Sequence, residues 1–569
     1  MKSSTSFFQT LKLSISSRIH ALSSKEKKVF SVLACIVIFG IIGFINYGSS
    51  RFSVQVPTRG GVLTEGILGT PRFINPVLAN SDIDQDISGL VYSGLVRRIS
   101  TTDSPEPIIA PDLAESYTVS DDGKEYVFKL KKNAVFHDGK PVKAEDVVFT
   151  IKTIQDSQFQ SPLLENWIGI NIEAVDDLTV KITLPRPFSG FLDSATVGIL
   201  PKHIWRTLTP DEFLASNYNT SPIGSGPYKI KNIHRDVNGI ADTYTFGSFN
   251  KFALGKPYIP KITINLYPNE QDLLQGYEQG DFNLLANIRP YEINSDNSRF
   301  TVAAPLPRMF GLFLNAEKND VFKDESLRNV INSAIDPSEI ISSVFQGFAK
   351  PISHPLPELE QNTTNKKASI ESVTSKLESL GWKLNETTGV REKGGKALAF
   401  TISTADTPEL KYTAQIIQKQ LRAVGINTEL QIFQLNDLEN SVIKRRSFDS
   451  LLFGQFVRND ADLYAFWHSS QKDVSGLNIT GYSSKNIDTL IEKLFSTNDQ
   501  DNRKDILTTL KGELSRAPII WLYQPDFVYA LHRPVYGIII TDLISKHDRF
   551  ANIYQWYIQT DTVWKMFKN

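Results

Sequence analysis

The sequence predicts an α/β fold of several lobes, preceded by one N-terminal transmembrane helix. First, the chain has 569 residues, of which 41% are hydrophobic and 22% charged, and this length exceeds what one hydrophobic core supports. Second, apolar residues at helical spacing lead to Gly425 and then to a strand pattern at 428–433, which is typical of an α/β unit. Third, residues 29–47 carry no charge.

The run at 29–47 predicts a membrane anchor. Its 19 residues would span about 28 Å as a helix, close to the thickness of a bilayer core. Basic residues before the run outnumber those that follow it closely, which predicts a cytoplasmic N-terminus and an extracytoplasmic body. The basic residues before it include Lys12, Arg18, Lys25, Lys27 and Lys28, and those that follow it closely are Arg51 and Arg59.

Two other interpretations of this segment stay open: a cleaved secretory signal, and a lipoprotein signal ending at Cys35. Only six apolar or small residues precede Cys35, and the apolar run continues beyond it, so the pattern favours an uncleaved anchor. Cys35 is the single cysteine of the chain. One chain therefore forms neither a disulfide framework nor a thiolate metal cluster.

Composition and motifs exclude several classes of function. The chain has 61 basic and 62 acidic residues, a net charge of -1, and this balance gives no basic face for nucleic acid. Its eight histidines are scattered, and no HExxH, GxSxG or P-loop spacing occurs. We therefore predict no catalytic residue, no metal site and no cofactor, although a triad assembled from distant residues would leave no such motif.

The coarse pattern mixes strands and helices along the whole chain. Side chains of alternating pattern at 126–130, after a Ser-Asp-Asp-Gly turn, predict a hairpin strand. The same turn-and-strand pattern recurs at 175–184. Apolar residues at 327–335 fall on one face of a helix. Strands and helices thus alternate, as an α/β body requires.

One long stretch carries a family resemblance. Residues 111–152, PDLAESYTVSDDGKEYVFKLKKNAVFHDGKPVKAEDVVFTIK, closely resemble the signature of the family 5 extracellular solute-binding proteins, the oligopeptide- and dipeptide-binding group. Further similar motifs follow the family's order from about residue 60 to the C-terminus. They are GGVLTEG at 60–66, PRFINP at 71–76, SGLVRR at 93–98, PKHIW at 201–205, SPIGSGPYKI at 221–230, GKPYIPKI at 255–262, QGDFN at 279–283, LRNVINSAID at 327–336, LGWKL at 380–384, DADLYAFWHSS at 460–470 and RAPIIWLY at 516–523.

The resemblance implies two lobes of the class II periplasmic-binding-protein fold, an extra domain inserted into the first lobe, and a ligand enclosed between the lobes. Hinges are expected near 307–315 and 523–528. The implied segments are 1–28 cytoplasmic, 29–47 anchor, 48–59 tether, 60–98 first part of lobe I, 99–220 inserted domain, 221–305 second part of lobe I, 306–523 lobe II and 524–569 C-terminal part of lobe I.

The resemblance also implies a function. The chain is expected to capture short peptides as the extracytoplasmic, monomeric binding component of an ABC importer, with permease and ATPase subunits as partners. Members of this family also bind nickel chelates, haem or oligosaccharides, so an oligosaccharide or a metal chelate is an alternative cargo. A sensory or adhesive surface protein of the same fold is another alternative.

The resemblance further points to ligand contacts in the segment NDADLYAFWHS. Peptide-binding members place an aspartate of a Gly-Asp-Pro-Asp-like segment against the ligand's α-ammonium. Asp460 or Asp462 matches this aspartate, and Asp460 is preferred because it opens the motif. The alternative role for either residue is that of a helix N-cap. Tyr464 and Trp467 either wall a side-chain pocket or belong to the core. Arg458 either meets a ligand carboxylate or is solvated.

Other residues of the motifs are expected to build the fold. Glu145 and Asp146 occupy a predicted first helical turn, where carboxylates favour the helix dipole. Gly224 and Gly226 permit a close backbone approach before a strand. His137 is expected to be structural rather than a metal ligand.

Overall fold

The computed structural model describes residues 23–101, 107–188, 190–286, 300–356, 359, 368–458, 460–473, 476–497, 499–541 and 543–564. The chain divides into a smaller unit, residues 1–59 with 557–569, and a larger unit, residues 60–556. Most of the predicted cytoplasmic segment, residues 1–22, lies outside the described residues.

The helices of the described residues are numbered in chain order. They are α1 Ser24–Phe52, α2 Asp82–Val91, α3 Ala144–Gln155, α4 Leu164–Trp167, α5 Phe191–Ser194, α6 Lys202–Trp205, α7 Pro210–Ala215, α8 Glu270–Gln279, α9 Glu325–Ala334, α10 Pro337–Phe345, α11 Ile370–Ser379, α12 Pro408–Arg422, α13 Leu435–Asp437, α14 Asp460–Trp467, α15 Lys485–Ser496 and α16 Gln500–Leu514.

The strands are numbered in the same way. They are β1 Ser53–Thr58, β2 Val62–Leu68, β3 Val96–Ile99, β4 Ile108–Pro111, β5 Ala114–Val119, β6 Glu125–Leu130, β7 Asn171–Ala174, β8 Thr179–Thr183, β9 Tyr228–Arg235, β10 Ala241–Ser248, β11 Lys261–Tyr267, β12 Leu284–Ala286, β13 Phe300–Pro305, β14 Arg308–Leu314, β15 Ala349–Pro351, β16 Lys383–Leu384, β17 Arg391–Lys393, β18 Lys396–Ala397, β19 Ala399–Ala405, β20 Asn427–Phe433, β21 Ser450–Phe456, β22 Ile519–Leu531 and β23 Gln559–Trp564.

The smaller unit consists of α1 and a two-stranded antiparallel sheet of β1 and β23. The segment predicted as a tether, 48–59, contains the end of α1 and the whole of β1. No helix within the described residues combines the length and mean hydropathy that crossing a bilayer requires.

The larger unit is organised by one twelve-stranded sheet in the order β20-β19-β21-β14-β22-β12-β2-β11-β10-β9, with β13 and β15 also paired to β22. The long strand β22 joins two groups of strands. Its first part pairs with β14 and β15, and from Asp526 onward it pairs with β13 and β12. We call β12, β2, β11, β10 and β9 the first half-sheet, and β14, β21, β19 and β20 the second half-sheet.

The second half-sheet confirms the predicted helix-glycine-strand unit. Helix α12 ends at Arg422, Gly425 adopts a φ of +82°, and β20 follows and runs parallel to β19. Because a φ in this range favours glycine, Gly425 ends the helix where the sequence placed the stop. The apolar face of α9 is also buried, as its spacing predicts.

A separate four-stranded antiparallel sheet, β5-β6-β8-β7, contains the predicted hairpin strand at β6. Helix α3 follows with Glu145 and Asp146 in its first turn, as predicted. The Asp146 carboxylate accepts the backbone N–H groups of Lys143 at 2.8 Å and Lys202 at 2.9 Å. The N-cap residue, Lys143, makes no capping hydrogen bond with its own side chain. The acidic first-turn residue Asp146 takes over this role, and its bond to Lys202 also holds the start of α6 in place.

The predicted close approach of the GSGPY segment is confirmed. A Cβ on Gly224 would lie 2.1 Å from the Val91 carbonyl oxygen, and the Gly226 N–H donates to that oxygen at 2.8 Å. His137 Nε2 lies 3.1 Å from the Gly226 carbonyl oxygen, so this imidazole fastens the turn to the body. In the part of the chain that the structure describes, no cluster of three or more His, Cys, Asp or Glu residues could hold a metal ion.

Candidate ligand-binding site

A cavity of about 390 Å³ lies where distant parts of the larger unit meet. We call it the charged cavity, because four of its wall residues are Arg98, Asp193, Arg458 and Asp462. Other wall residues come from α2, from the segment around α4, from the segment between β8 and α6 and from the loop before Phe550. They include Gln85, Ser88, Tyr92, Asn166, Trp167, Phe188, Thr196, Ser545, His547 and Asp548.

One wall carries an ion pair between Arg458 and Asp462. Arg458 donates to Asp462 three times, from its backbone N–H at 2.8 Å, from Nε at 3.0 Å and from its terminal guanidinium nitrogen at 3.1 Å. The hydrogen bond to Asp462 raises the pKa of Arg458. Asp462 is 15% and Arg458 45% exposed, so both charges of the pair face the cavity.

Asp460, two residues earlier, lies behind this wall. Its side chain is 2% exposed, and both of its oxygens accept hydrogen bonds from Arg503 of α16, at 2.7 and 2.8 Å. A bidentate pair of this kind is fixed in geometry as well as in charge. Of the two aspartates that the sequence offered as ammonium ligands, the structure places only Asp462 on the cavity wall.

Another wall residue of the charged cavity, Tyr92, carries a buried hydroxyl. Tyr92 is 5% exposed and lines the cavity, yet its hydroxyl has no hydrogen-bond partner among the described residues. Burial raises the pKa of Tyr92, so the hydroxyl keeps its proton. A buried hydroxyl without a partner destabilises the protein, and a bound ligand that accepts or donates a hydrogen bond would remove this cost.

Near Tyr92, Arg98 of β3 forms an ion pair with Asp193 of α5. Both residues line the charged cavity, and they bring a second positive and a second negative charge to its wall. The wall of the cavity therefore holds two positive and two negative charges. Such a surface suits a polar ligand that itself carries both signs.

A second cavity, of about 570 Å³, adjoins the first. We call it the apolar cavity, because most of its wall is hydrocarbon. Asn166 and Phe188 line both cavities. The remaining residues of the apolar cavity are Glu165, Ile168, Ile170, Leu184, Pro185, Arg186, Pro187, Tyr464, Glu492 and Phe495.

Tyr464 therefore lies on a cavity wall, one of the two roles that the sequence allowed. Its ring stacks on His468 with centroids 4.2 Å apart and meets Phe495 edge-on at 5.9 Å. Trp467 takes the other role, since it is 1% exposed, belongs to the hydrophobic core and lies 6.3 Å from the Trp521 ring.

Ser545 and His547 on the wall of the charged cavity form a hydroxyl–imidazole pair of the kind that hydrolases use. The Ser545 hydroxyl bonds His547 Nδ1 at 2.6 Å, but Asp548 lies 3.7 Å from the imidazole, beyond hydrogen-bond reach. Asp548 instead accepts the backbone N–H of Ser545 at 2.8 Å. This arrangement closes a tight turn.

Sequence reasoning missed several wall residues. Arg98 lies in the SGLVRR motif, and Tyr92 directly precedes it, but nothing in the motif distinguishes a wall residue from a buried one. Asp193, Phe188 and His547 lie in segments without any motif. Only the fold brings these segments to one cavity.

Comparison with known proteins agrees with this architecture. The family model described as "Bacterial extracellular solute-binding proteins, family 5 Middle" matches residues 109–475. The oligopeptide-binding protein AppA of Bacillus subtilis (strain 168) is 26% identical over 531 residues, covering 90% of this chain and 94% of that protein.

Solved structures share the fold. NikZ from Campylobacter jejuni in complex with Ni(L-His) aligns with a TM-score of 0.67 at 26% identity, covering 87% of this chain and 99% of that one. The ABC transporter substrate-binding protein CtaP from Listeria monocytogenes aligns with a TM-score of 0.73 at 25% identity, covering 88% and 100%.

Proposed function

This chain belongs to the bacterial extracellular solute-binding proteins of family 5, and from that premise we propose that it captures short peptides outside the cytoplasm for an ABC importer. The observation that carries the proposal is the charged cavity. Asp462 and Arg458 present opposite charges to it, as a zwitterionic peptide requires. The oligopeptide-binding protein of Bacillus subtilis, similar along 90% of this chain, supports the same ligand class.

In the proposed complex Asp462 accepts the peptide's α-ammonium, while Arg458 donates to a peptide carboxylate or carbonyl oxygen. Both contacts are charge-assisted hydrogen bonds, which are shorter and stronger than neutral ones. The Tyr92 hydroxyl, which has no partner among the described residues, gives a third polar contact. A cavity of 390 Å³ is at the small end of the range of about 300–1,000 Å³ for ligand pockets, which favours short peptides.

We further propose that the two half-sheets belong to two lobes that close on the ligand. The chain passes between them at 305–308 and again at 525–526, within or close to the predicted hinges. Ligand contacts from both lobes would stabilise the closed state, and a permease would recognise that state. The predicted domain boundaries, with an inserted domain at 99–220, follow this scheme.

We also propose that residues 29–47 anchor the protein; this proposal rests on the sequence of the run, since no described helix by itself meets the length and mean hydropathy of a membrane span. The uncharged run 29–47 lies within the 29-residue helix α1, and basic residues precede the run. The body would then lie outside the cytoplasm, close to permease and ATPase partners. The protein acts as a monomer and catalyses no reaction on the peptide.

The proposal is tested by native mass spectrometry of the full-length chain, titrated with a mixed library of di- to hexapeptides. We expect a mass increase of one peptide, which weakens in Asp462→Asn and persists in Asp320→Asn. Asp320 is the matched control, since it is an exposed aspartate paired with Lys323 and outside both cavities. Absence of any peptide adduct would contradict peptide capture, and recovery of shortened peptides would contradict the non-enzymatic role.

A metal chelate is the second candidate ligand. His547 lies on the wall of the charged cavity, and the similar NikZ structure holds Ni(L-His). A chelate would bring ligands of its own, so it would need few donors from the protein. Adding nickel and L-histidine to the same measurement tests this candidate, because a nickel-containing adduct without any peptide adduct would favour it.

A further inference from the structure

The apolar cavity is an extension of the charged cavity. Asn166 and Phe188 form part of both walls, so each cavity begins where the other ends. The two differ in chemistry, because ion pairs line the first whereas isoleucine, leucine, proline and aromatic side chains dominate the second. A ligand whose charged atoms occupy the first cavity would reach the second with an adjacent group.

Phe188 lies at the boundary and bridges two distant parts of the chain. It follows β8, and its ring centroid lies 6.1 Å from that of Phe495 on α15, with the planes inclined by 35°. The guanidinium of Arg186 lies 5.9 Å from the centre of the same Phe495 ring. A Cβ at position 190 would come within 2.7 Å of the Phe188 ring, so Gly190 leaves the space that this ring fills.

The wall of the apolar cavity favours one kind of ligand group. Burial of a large hydrocarbon side chain there would remove apolar surface from water without leaving polar groups unpaired. Three charged residues also line this cavity: Glu165, Arg186 and Glu492. All three are exposed, Glu492 at 65%, so they remain hydrated at the rim of the cavity.

We infer that the apolar cavity is a specificity pocket that receives one bulky apolar side chain of the captured peptide, and that Phe188 separates this pocket from the site of the peptide's charged groups. The inference rests on the proposed function. The inference goes beyond the proposed function by naming the substrate class, which is short peptides with an aromatic or large aliphatic residue at one fixed position.

The test compares four tripeptides by isothermal titration calorimetry with the full-length chain: trialanine and the three isomers with one phenylalanine. We expect one isomer to bind about 10- to 100-fold more tightly than trialanine, as complete burial of a large apolar side chain predicts. Equal affinities for all four tripeptides would overturn the inference, and so would tighter binding of the three corresponding lysine isomers, which are measured as a control.

Two variants locate the effect. Ile168 is 56% exposed and lines the apolar cavity, so Ile168→Asp is expected to remove the preference for phenylalanine over alanine at the fixed position. Val175, 60% exposed and outside both cavities, is the matched control, and Val175→Asp is expected to keep the preference. A preference that survives in Ile168→Asp would overturn the assignment of the pocket.

Phe188→Ala provides an independent measurement, because it opens the boundary between the cavities. We expect this variant to favour tryptophan over phenylalanine at the same peptide position by more than the wild-type chain does. An unchanged ratio would contradict the separating role of Phe188. Failure of every tripeptide to bind the wild-type chain would instead refute peptide capture itself, whereas equal binding of all four refutes only the pocket.

Discussion

Two ion pairs at the start of α14 differ in what surrounds them. Asp460 and Arg503 are 2% and 13% exposed and join α14 to α16, whereas Asp462 and Arg458 lie four residues apart on the wall of the charged cavity. The sequence presents both aspartates in one short motif. Asp460 faces the protein interior, where its carboxylate is structural. Asp462 lies on the wall of the charged cavity, where its carboxylate can meet a ligand.

The contrast extends to other polar groups. His137 and Asp146 have their hydrogen bonds satisfied by the backbone of neighbouring segments, so they stabilise the fold. Tyr92, a wall residue of the charged cavity, is 5% exposed, and its hydroxyl has no partner among the described residues. Internally satisfied groups should control stability, and groups on the cavity wall should control affinity.

The largest expected effect is on the buried pair. Asp460→Asn should lower the free energy of unfolding by about 3–5 kcal/mol, because it removes the charge from a bidentate pair whose carboxylate is 2% exposed. Urea unfolding followed by circular dichroism measures the change. Asp462→Asn is the matched control, for which we expect a loss below about 1 kcal/mol. Equal losses in the two variants would remove the distinction between the pairs.

The next effect concerns pH. Burial lowers the pKa of His137 to about 4 from 6.5, so the unfolded chain takes up the proton first as the pH falls. The neutral imidazole thus stabilises the folded state fully above about pH 6.5, and this contribution declines as the pH falls towards 4, by up to about 3 kcal/mol. We expect wild type to lose more stability than His137→Gln between pH 7 and pH 4.5 in urea titrations; parallel losses would contradict a buried neutral imidazole.

Removal of the cavity carboxylate should act on affinity. Asp462→Asn replaces a charged acceptor, and a hydrogen bond to a charged group contributes about 1.5–3 kcal/mol, so the dissociation constant for a bound tripeptide should rise about 10- to 100-fold. Calorimetric titration of the full-length chain checks this value. Unchanged affinity would mean that the α-ammonium is bound elsewhere.

The smallest effect is expected for the unpartnered hydroxyl. Tyr92→Phe should weaken peptide binding about fivefold, since a neutral hydrogen bond contributes about 1 kcal/mol. The free energy of unfolding should stay constant or increase, because a buried polar atom without a partner is removed. A clear loss of stability with unchanged affinity would make this hydroxyl a structural group.

Much of the fold could be predicted from local pattern. The first turn of α3, the hairpin strand β6 and the stop at Gly425 all depend on residues near in sequence, and the structure confirms them. The motif series also led to the correct family. These features are local because capping, alternation and positive φ act over a few residues.

The candidate site was less predictable because it depends on contacts between distant segments. The partner of Asp460 is 43 residues away, and Asp193 and His547 reach the cavity from separate segments. Which aspartate faces the cavity depends on the rotation of α14 within the packed body. A motif that lists residue types does not specify that rotation, so both aspartates remained candidates until the structure placed them.

The most direct test is a crystal structure of the full-length chain with the tripeptide that binds most tightly. We expect the peptide in the charged cavity, with its α-ammonium at hydrogen-bond distance from an Asp462 carboxylate oxygen and the Asp460–Arg503 pair unchanged. A peptide bound outside this cavity, or an α-ammonium on Asp460 with Arg503 displaced, would contradict the separation of structural from ligand-binding carboxylates.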